Sequence, residues 1–202
     1  MKSVLISIQP KWCEKIANGE KLVDVRKTRP KIETPFKCYI YCAKSKTMGD
    51  IILCKSKENS EFFGFNKVVG INKGFKEKED IDLKSKVIGE FVCDYINEIE
   101  AVCNGYMFYA KVNGKADMFL NEKTQIDIGE LWDYLSYSKG YGWHISDLVI
   151  YDKPKELSEF RRCHKCEYGP IERCNQHKFS CDGTYKITRA PQSWCYVEEV
   201  KE

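Results

Sequence analysis

No stretch of this 202-residue chain approaches the roughly 18 consecutive apolar residues that a membrane-spanning helix needs, so a helical anchor is not expected. The opening residues, Met1-Lys2-Ser3-Val4-Leu5, lack the long apolar core and cleavage site of a secretory leader, and a cytoplasmic location is the expectation. Internal repeats and low-complexity tracts are also missing. What is present is 43% hydrophobic and 31% charged residues, the composition of a globular protein. The length suits one domain of ordinary size plus a small appendage. The net charge of +3 hides an asymmetry. Residues 1–60 hold 13 Lys+Arg against 6 Asp+Glu, net +7, and the remainder holds 20 against 24, net −4. The basic third would raise the local concentration of a polyanion such as nucleic acid, although lysine-rich surfaces are also commonly just solvated.

The apolar pattern is dominated by short extended segments. Val4 to Ile8 reads as a strand. Pro10 suits the first turn of a helix whose apolar stripe of Trp12, Ile16 and Ala17 runs to a stop at Gly19. Lys37 to Cys42 alternates and is rich in aromatic residues, Ile51 to Cys54 reads as another strand, and Phe62 to Phe65 opens an apolar segment running to Gly70. Lys73 to Lys86 is charge-dense and is expected to be irregular. Val87 to Val102 carries a long extended pattern, followed by a neighbouring strand at Gly105 to Tyr109. Ile128 to Tyr137 has helical spacing of Ile128, Leu131, Trp132 and Leu135, and Tyr141 to Tyr151 returns to an extended pattern. Many short strands with few helices predict an α+β protein built on a small, closed or nearly closed β-barrel, which would remove exposed sheet edges.

Directly after Gly19 the chain places Lys21, Asp24 and Arg26 around a short apolar strand. A lysine and an arginine with a carboxylate between them can hold an anionic or hydrogen-bonding ligand. The plain alternative is a solvated strand edge carrying a surface ion pair of little energetic value. Lysine would act as a compact ammonium or, if desolvated, as a nucleophile or base with a lowered pKa; arginine offers a planar fork for phosphate or a base edge. Asp24 would orient one of them, and Lys27 adds a further cation. Trp12, Tyr39 and Tyr41 lie near the trio in sequence and could stack a base, with core packing as the alternative for each. Trp143 and His144, adjacent on a strand, should point to opposite faces, and a lone strand histidine is usually structural.

The segment Leu5 to Ile8 with Trp12, Ile16, Gly19, Lys21, Asp24, Val25 and Arg26 resembles the ASCH domain, a branch of the PUA-like superfamily with the signature G-x-K-x-x-E-x-R. Asp24 stands where that signature has Glu, one methylene shorter. Val87 to Phe91, Trp143 to Leu148 and Tyr151 to Pro154 also resemble strands of this family, so the likeness covers about the first three quarters of the chain. The whole arrangement, including the tail from Arg161, is similar to ASCH-containing proteins carried by phages and prophages. The resemblance implies a PUA-like barrel flanked by helices over residues 1–155. It also implies a cleft between barrel and first helix that takes RNA or a modified nucleotide through the motif residues Lys21, Asp24 and Arg26, beside which Lys27 and Tyr41 are candidate contacts by their nearness in sequence. For an enzyme of this type it implies Lys21 and Asp24 as catalytic residues, in amide hydrolysis of acylated nucleosides or in RNA cleavage. A phage-borne module that binds a host protein is a third expectation, which no feature of the sequence selects.

Five of the eleven cysteines fall after residue 160: Cys163, Cys166, Cys174, Cys181 and Cys195. Cys163-His164-Lys165-Cys166 is a C-x2-C knuckle, and with Cys174 and Cys181 it predicts a structural Zn2+ site in a small cysteine-rich extension over 156–202. His177 or Cys195 could replace one of the later ligands. Metal binding would supply the folding energy that so little apolar sequence cannot. Disulfides are disfavoured in the cytosol, and the flanking sequence lacks the βαβ context of a redox C-x2-C. Cys13, Cys38, Cys42, Cys54, Cys93 and Cys103 alternate with apolar residues and read as small core hydrophobes.

Overall fold

The computed structural model describes residues 2–44, 52–55, 62–65, 85–136, 138–162 and 185–200. In chain order it contains β1 (Lys2–Ile8), α1 (Pro10–Ala17), β2 (Val23–Arg26), β3 (Phe36–Cys42), β4 (Ile52–Lys55), β5 (Phe62–Phe65), β6 (Lys86–Cys93), β7 (Ile96–Cys103), β8 (Phe108–Val112) and β9 (Lys115–Ala116). There follow α2 (Leu120–Thr124), α3 (Ile128–Leu135), β10 (Lys139–His144), β11 (Ser146–Glu156), β12 (Arg161–Arg162), β13 (Tyr185–Lys186) and β14 (Trp194–Glu198).

Among the described residues the strands form two open sheets and a separate antiparallel β4–β5 pair rather than a closed barrel. The larger sheet runs β11-β6-β3-β1-β14-β12-β13, and the smaller runs β2-β10-β7-β8-β9. Each sheet ends on strands that do not find each other, so the edges the barrel expectation had closed stay separate. Two corners join the sheets. The extended pattern predicted from Val87 to Val102 breaks at Asp94-Tyr95, sending β6 into one sheet and β7 into the other. The Tyr141 to Tyr151 pattern breaks in the same way at Ile145. His144 N–H donates to the Tyr95 carbonyl at 3.1 Å, tying one corner to the other.

The two faces of the large sheet separate the sequence by parity. Val4, Ile6 and Ile8 of β1 and Cys38, Ile40 and Cys42 of β3 pack with Cys13 and Ile16 of α1 and with Trp143. The intervening Leu5, Tyr39 and Tyr41 pack on the other side with Val87, Phe160, Ile187 and Val197. β1 and β3, the parallel pair, are thus buried on both faces. Gly89 on β6 has no room for a side chain, since a Cβ there would lie 2.4 Å from the Val149 carbonyl oxygen of β11. A third cluster joins Val23, Val25, Ile99, Ala101 and Ala110 of the small sheet to Leu120, Leu131 and Leu135 of α2 and α3.

The C-terminal strand is not peripheral. β14 lies against β1 in antiparallel register from Lys2↔Glu198 to Ile6↔Trp194. Ser7 N–H continues the ladder to the Ser193 carbonyl at 2.8 Å. Cys13, Cys38, Cys42 and Cys93 are buried as expected of small core residues, whereas Cys103 at the end of β7 is exposed and corrects that expectation. The side chain of Cys54 lies outside the described residues. Among the described residues no helix is long and apolar enough to cross a membrane.

Candidate functional site

The helix ending that precedes the charged trio is a hydrogen-bonded reversal. Glu20 N–H donates to the Lys15 carbonyl and Gly19 N–H to the Ile16 carbonyl, both at 2.9 Å, which is a Schellman closure with Gly19 in the left-handed region at φ 73°. Lys21 N–H shares the Lys15 carbonyl at 3.0 Å, and Leu22 N–H donates to Lys123 at the end of α2 at 2.8 Å. The chain therefore enters β2 with its start fixed between α1 and α2. Within β2, Val23 and Val25 face the cluster under α3. Strand alternation turns Asp24 and Arg26 to the opposite face.

The trio is buried, not a solvated edge. Lys21 is 1% exposed, Asp24 4% and Arg26 8%. Arg26 Nε donates to Asp24 Oδ2 at 2.6 Å, and its Nη2 donates to the Ser7 carbonyl at 2.9 Å. Nη1 lies 3.4 Å from both the carbonyl and the hydroxyl of Ser193. Lys21 Nζ donates to the Thr124 carbonyl at 2.6 Å, stands 3.9 Å from Asp24 Oδ1 and lies 4.9 Å from the centre of the Trp12 ring. Burial lowers the Lys21 pKa to about 8, against the opposing pull of the Asp24 carboxylate; the Arg26 guanidinium lowers it further.

These groups floor a cavity of about 270 Å³. Its walls come from Ser7 to Gln9 at the end of β1, Trp12 of α1, Ile126, Glu130 and Tyr134 on and before α3, and Gln192-Ser193 ahead of β14. At the mouth Glu130 accepts from Lys11 Nζ at 2.8 Å. Among the floor groups two cations face one carboxylate. Of the three donors on Lys21 Nζ one is committed to Thr124, and the five N–H groups of Arg26 are only partly taken up by Asp24, Ser7 and Ser193. Donors therefore remain for an anion or for the acceptor edge of a heterocycle, and Trp12 and Tyr134 supply aromatic walls.

The other predicted residues divide. Trp12 packs partly buried against the core, and it also lines the cavity. Lys27 is exposed just outside, with Nζ 5.3 Å from the centre of the Tyr134 ring. Tyr41 does not join the site: it is 7% exposed, in the cluster on the far face of the large sheet, because its parity on β3 is opposite to that of Cys38 and Ile40. Tyr39 lies in the same cluster, its hydroxyl accepting from Val200 N–H at 2.9 Å. Trp143 is fully buried. His144 on the opposite face stacks on Tyr95 with centroids 4.4 Å apart and pairs with Asp94 at 2.6 Å, away from the cavity. Cys163, Cys166, Cys174, Cys181 and His177 lie outside the described residues. Cys195 is half-buried on β14, and no group of three or more potential metal ligands occurs among the described residues.

Sequence reasoning missed Ser7, Gln9, Glu130, Tyr134 and Ser193. Ser7 was the findable one, a lone polar residue in the strand Leu5-Ile6-Ser7-Ile8. Ser193 reaches the site only through the β1–β14 pairing, which local patterns do not reveal.

No family model matches the chain, and no curated protein does. Among solved structures the chain is similar to the ASCH protein of Zymomonas mobilis, at 13% identity over 98% of this chain and 88% of that one, with a TM-score of 0.46. A serine-to-alanine mutant of that protein gives 12% identity, coverage of 98% and 89%, and a TM-score of 0.49. A tyrosine-to-phenylalanine mutant gives 14%, coverage of 78% and 77%, and 0.44. Likeness at this level assigns neither a family nor a ligand nor a reaction.

Proposed function

We propose that the cavity binds a nucleotide, as a unit of RNA or as a modified nucleotide, with Lys21 and Arg26 as donors and Asp24 as their orienting carboxylate. The observation that carries this reading is the buried charge excess: two cations and one carboxylate at the floor of one cavity, with donors left over. An isolated surplus cation in a buried place is costly, and an anionic or electron-rich ligand offsets that cost. The aromatic walls suit a base, whose π face stacks without regard to sequence. The test is binding of a labelled single-stranded RNA and of mononucleotides to the native protein and to Lys21→Ala and Arg26→Ala, with circular dichroism to verify folding. Binding that weakens at least tenfold in each folded variant is the expected result; binding unchanged in both places the ligand elsewhere.

A second reading has its own observation. With its pKa lowered to about 8, Lys21 is a neutral amine in an appreciable fraction of molecules near neutrality, which suits a base or nucleophile. In an enzyme acting on an acylated nucleoside or on RNA, turnover would follow deprotonation of this group and vanish in Lys21→Ala. Absence of turnover on acylated cytidine and on RNA by the native protein leaves binding alone.

A further inference from the structure

Next to the cavity lies a second, open concavity of about 540 Å³, formed by the chain leaving β2 and by Tyr141 of β10. Lys27, Arg29 and Lys31 project from it and are exposed. Among the described residues no carboxylate is paired with any of the three, although many surface lysines elsewhere are paired, including Lys37 with Glu90 and Lys139 with Glu98. Glu33 is the one acidic residue lining the concavity. Among the described residues the shelf is therefore a cationic surface whose charges are not neutralised by carboxylates of the fold.

Its backbone is held in place. Trp194 Nε1 donates to Thr28 Oγ1 at 3.0 Å, Lys31 N–H donates to the Tyr196 hydroxyl at 2.6 Å, and Pro30 is buried. Cations on a braced loop bind with less ordering cost than cations on a free one. The shelf also adjoins the cavity along the chain and across the β2–β10 pair. Lys27 follows Arg26 directly and lies over the ring of Tyr134, which walls the cavity; Tyr141 stands opposite Arg26 in the β2–β10 register. Arg29 lies 5.8 Å from the centre of the Tyr141 ring, so cation and aromatic alternate from one concavity into the next.

We propose that this shelf carries the phosphates of a single-stranded RNA, one nucleotide of which occupies the cavity, so that the site's ligand is a strand rather than a free nucleoside or a duplex. The proposal rests on the nucleotide reading above. A neutral nucleoside filling the cavity would place no phosphate at Lys27, Arg29 and Lys31, whereas a strand passing over the rim supplies a phosphate at each step. A cavity of about 270 Å³ walled by α1, α3 and Gln192-Ser193 admits one base out of its stack. A paired duplex would first have to be opened at a cost of a few kcal/mol.

The test compares the native protein with the double variant Arg29→Ala/Lys31→Ala, both positions exposed and outside the cavity. The probes are a fluorescein-labelled single-stranded RNA of about ten nucleotides and random sequence, its complementary duplex, and a mixture of the four nucleoside monophosphates. For the RNA the variant should lose about tenfold or more in affinity near 50 mM salt, and the slope of log affinity against log salt should fall by about 1.4, some 0.7 for each phosphate contact removed. Monophosphate affinity should stay within about twofold, and the duplex should bind more weakly than the single strand. An unchanged RNA slope, an equal loss for RNA and monophosphates, or a duplex bound as tightly as the strand overturns the shelf while leaving the cavity reading intact. A native protein that binds neither RNA nor monophosphates overturns both.

Discussion

At the scale of single residues, Lys21 decides what the cavity can do. Its ammonium has one full hydrogen bond, to the Thr124 carbonyl, and a carboxylate 3.9 Å away, which does not offset its desolvation. Asp24 is instead committed to Arg26 at 2.6 Å, so the shorter acid serves the guanidinium and leaves the lysine underpaired. The consequence is a pH signature. The unfolded chain holds its Lys21 proton up to about pH 10.5 and the folded chain only to about pH 8. Between those values the unfolded state binds more protons, so Lys21 makes stability rise with pH, a contribution that is complete above about pH 10.5 and lost as pH falls through about 8. Lys21→Met keeps the volume and removes the charge. Urea unfolding across this window should show a rise in the native protein that is absent from the variant, with a difference on the order of 3 kcal/mol over the whole window. Parallel curves for the two proteins would mean that Lys21 is solvated in solution.

At the scale of elements, two glycines show how local geometry feeds the site. Gly19 has open space around its Cα but sits at φ 73°, so an alanine there meets only backbone strain. Gly89 has an ordinary φ but a carbonyl oxygen 2.4 Å from where a Cβ would lie. Gly19→Ala should therefore cost about 1 kcal/mol, the left-handed penalty. Gly89→Ala should cost more, since β6 and β11 must separate to admit the methyl group. Urea unfolding of both variants measures the order, and a Gly19→Ala loss equal to or larger than that of Gly89→Ala contradicts it. Much at this scale was legible beforehand. Pro10 and Gly19 delimit α1, parity places β1, β2 and β3, and the Ile128, Leu131, Leu135 spacing yields α3. The two corners were not legible, because Asp94-Tyr95 and Ile145 interrupt apolar patterns that read equally well as one long strand. Tyr41 was misplaced for a related reason: nearness to the trio along the chain says nothing about which face of β3 it occupies.

At the scale of the whole molecule, the site is closed by the end of the chain. β14 covers the β1 edge, and Ser193 just before it meets Arg26. Trp194 and Tyr196 on it brace the 27–33 loop. Phe160, Ile187 and Val197 complete the apolar cluster on the outer face of the large sheet together with Leu5, Tyr39 and Tyr41. No local pattern announced this, since a strand at 194–198 pairs with one at 2–8 only through the folded sheet. A fragment ending at residue 155 would leave β1 as an open edge and strip three buried hydrophobic residues from Tyr39 and Leu5, each worth roughly 1.5–3 kcal/mol of burial. Against a total stability of about 5–15 kcal/mol that loss is large enough to remove the cooperative transition. Circular dichroism melting of the 1–155 fragment is therefore expected to show no sharp unfolding, while the full chain does. In the full chain, Val197→Ala should lower stability by about 2 kcal/mol without abolishing the transition. A fragment that melts cooperatively at the native midpoint would show instead that residues 1–155 fold alone, and that the walls supplied by residues 192–196 are added to a finished domain.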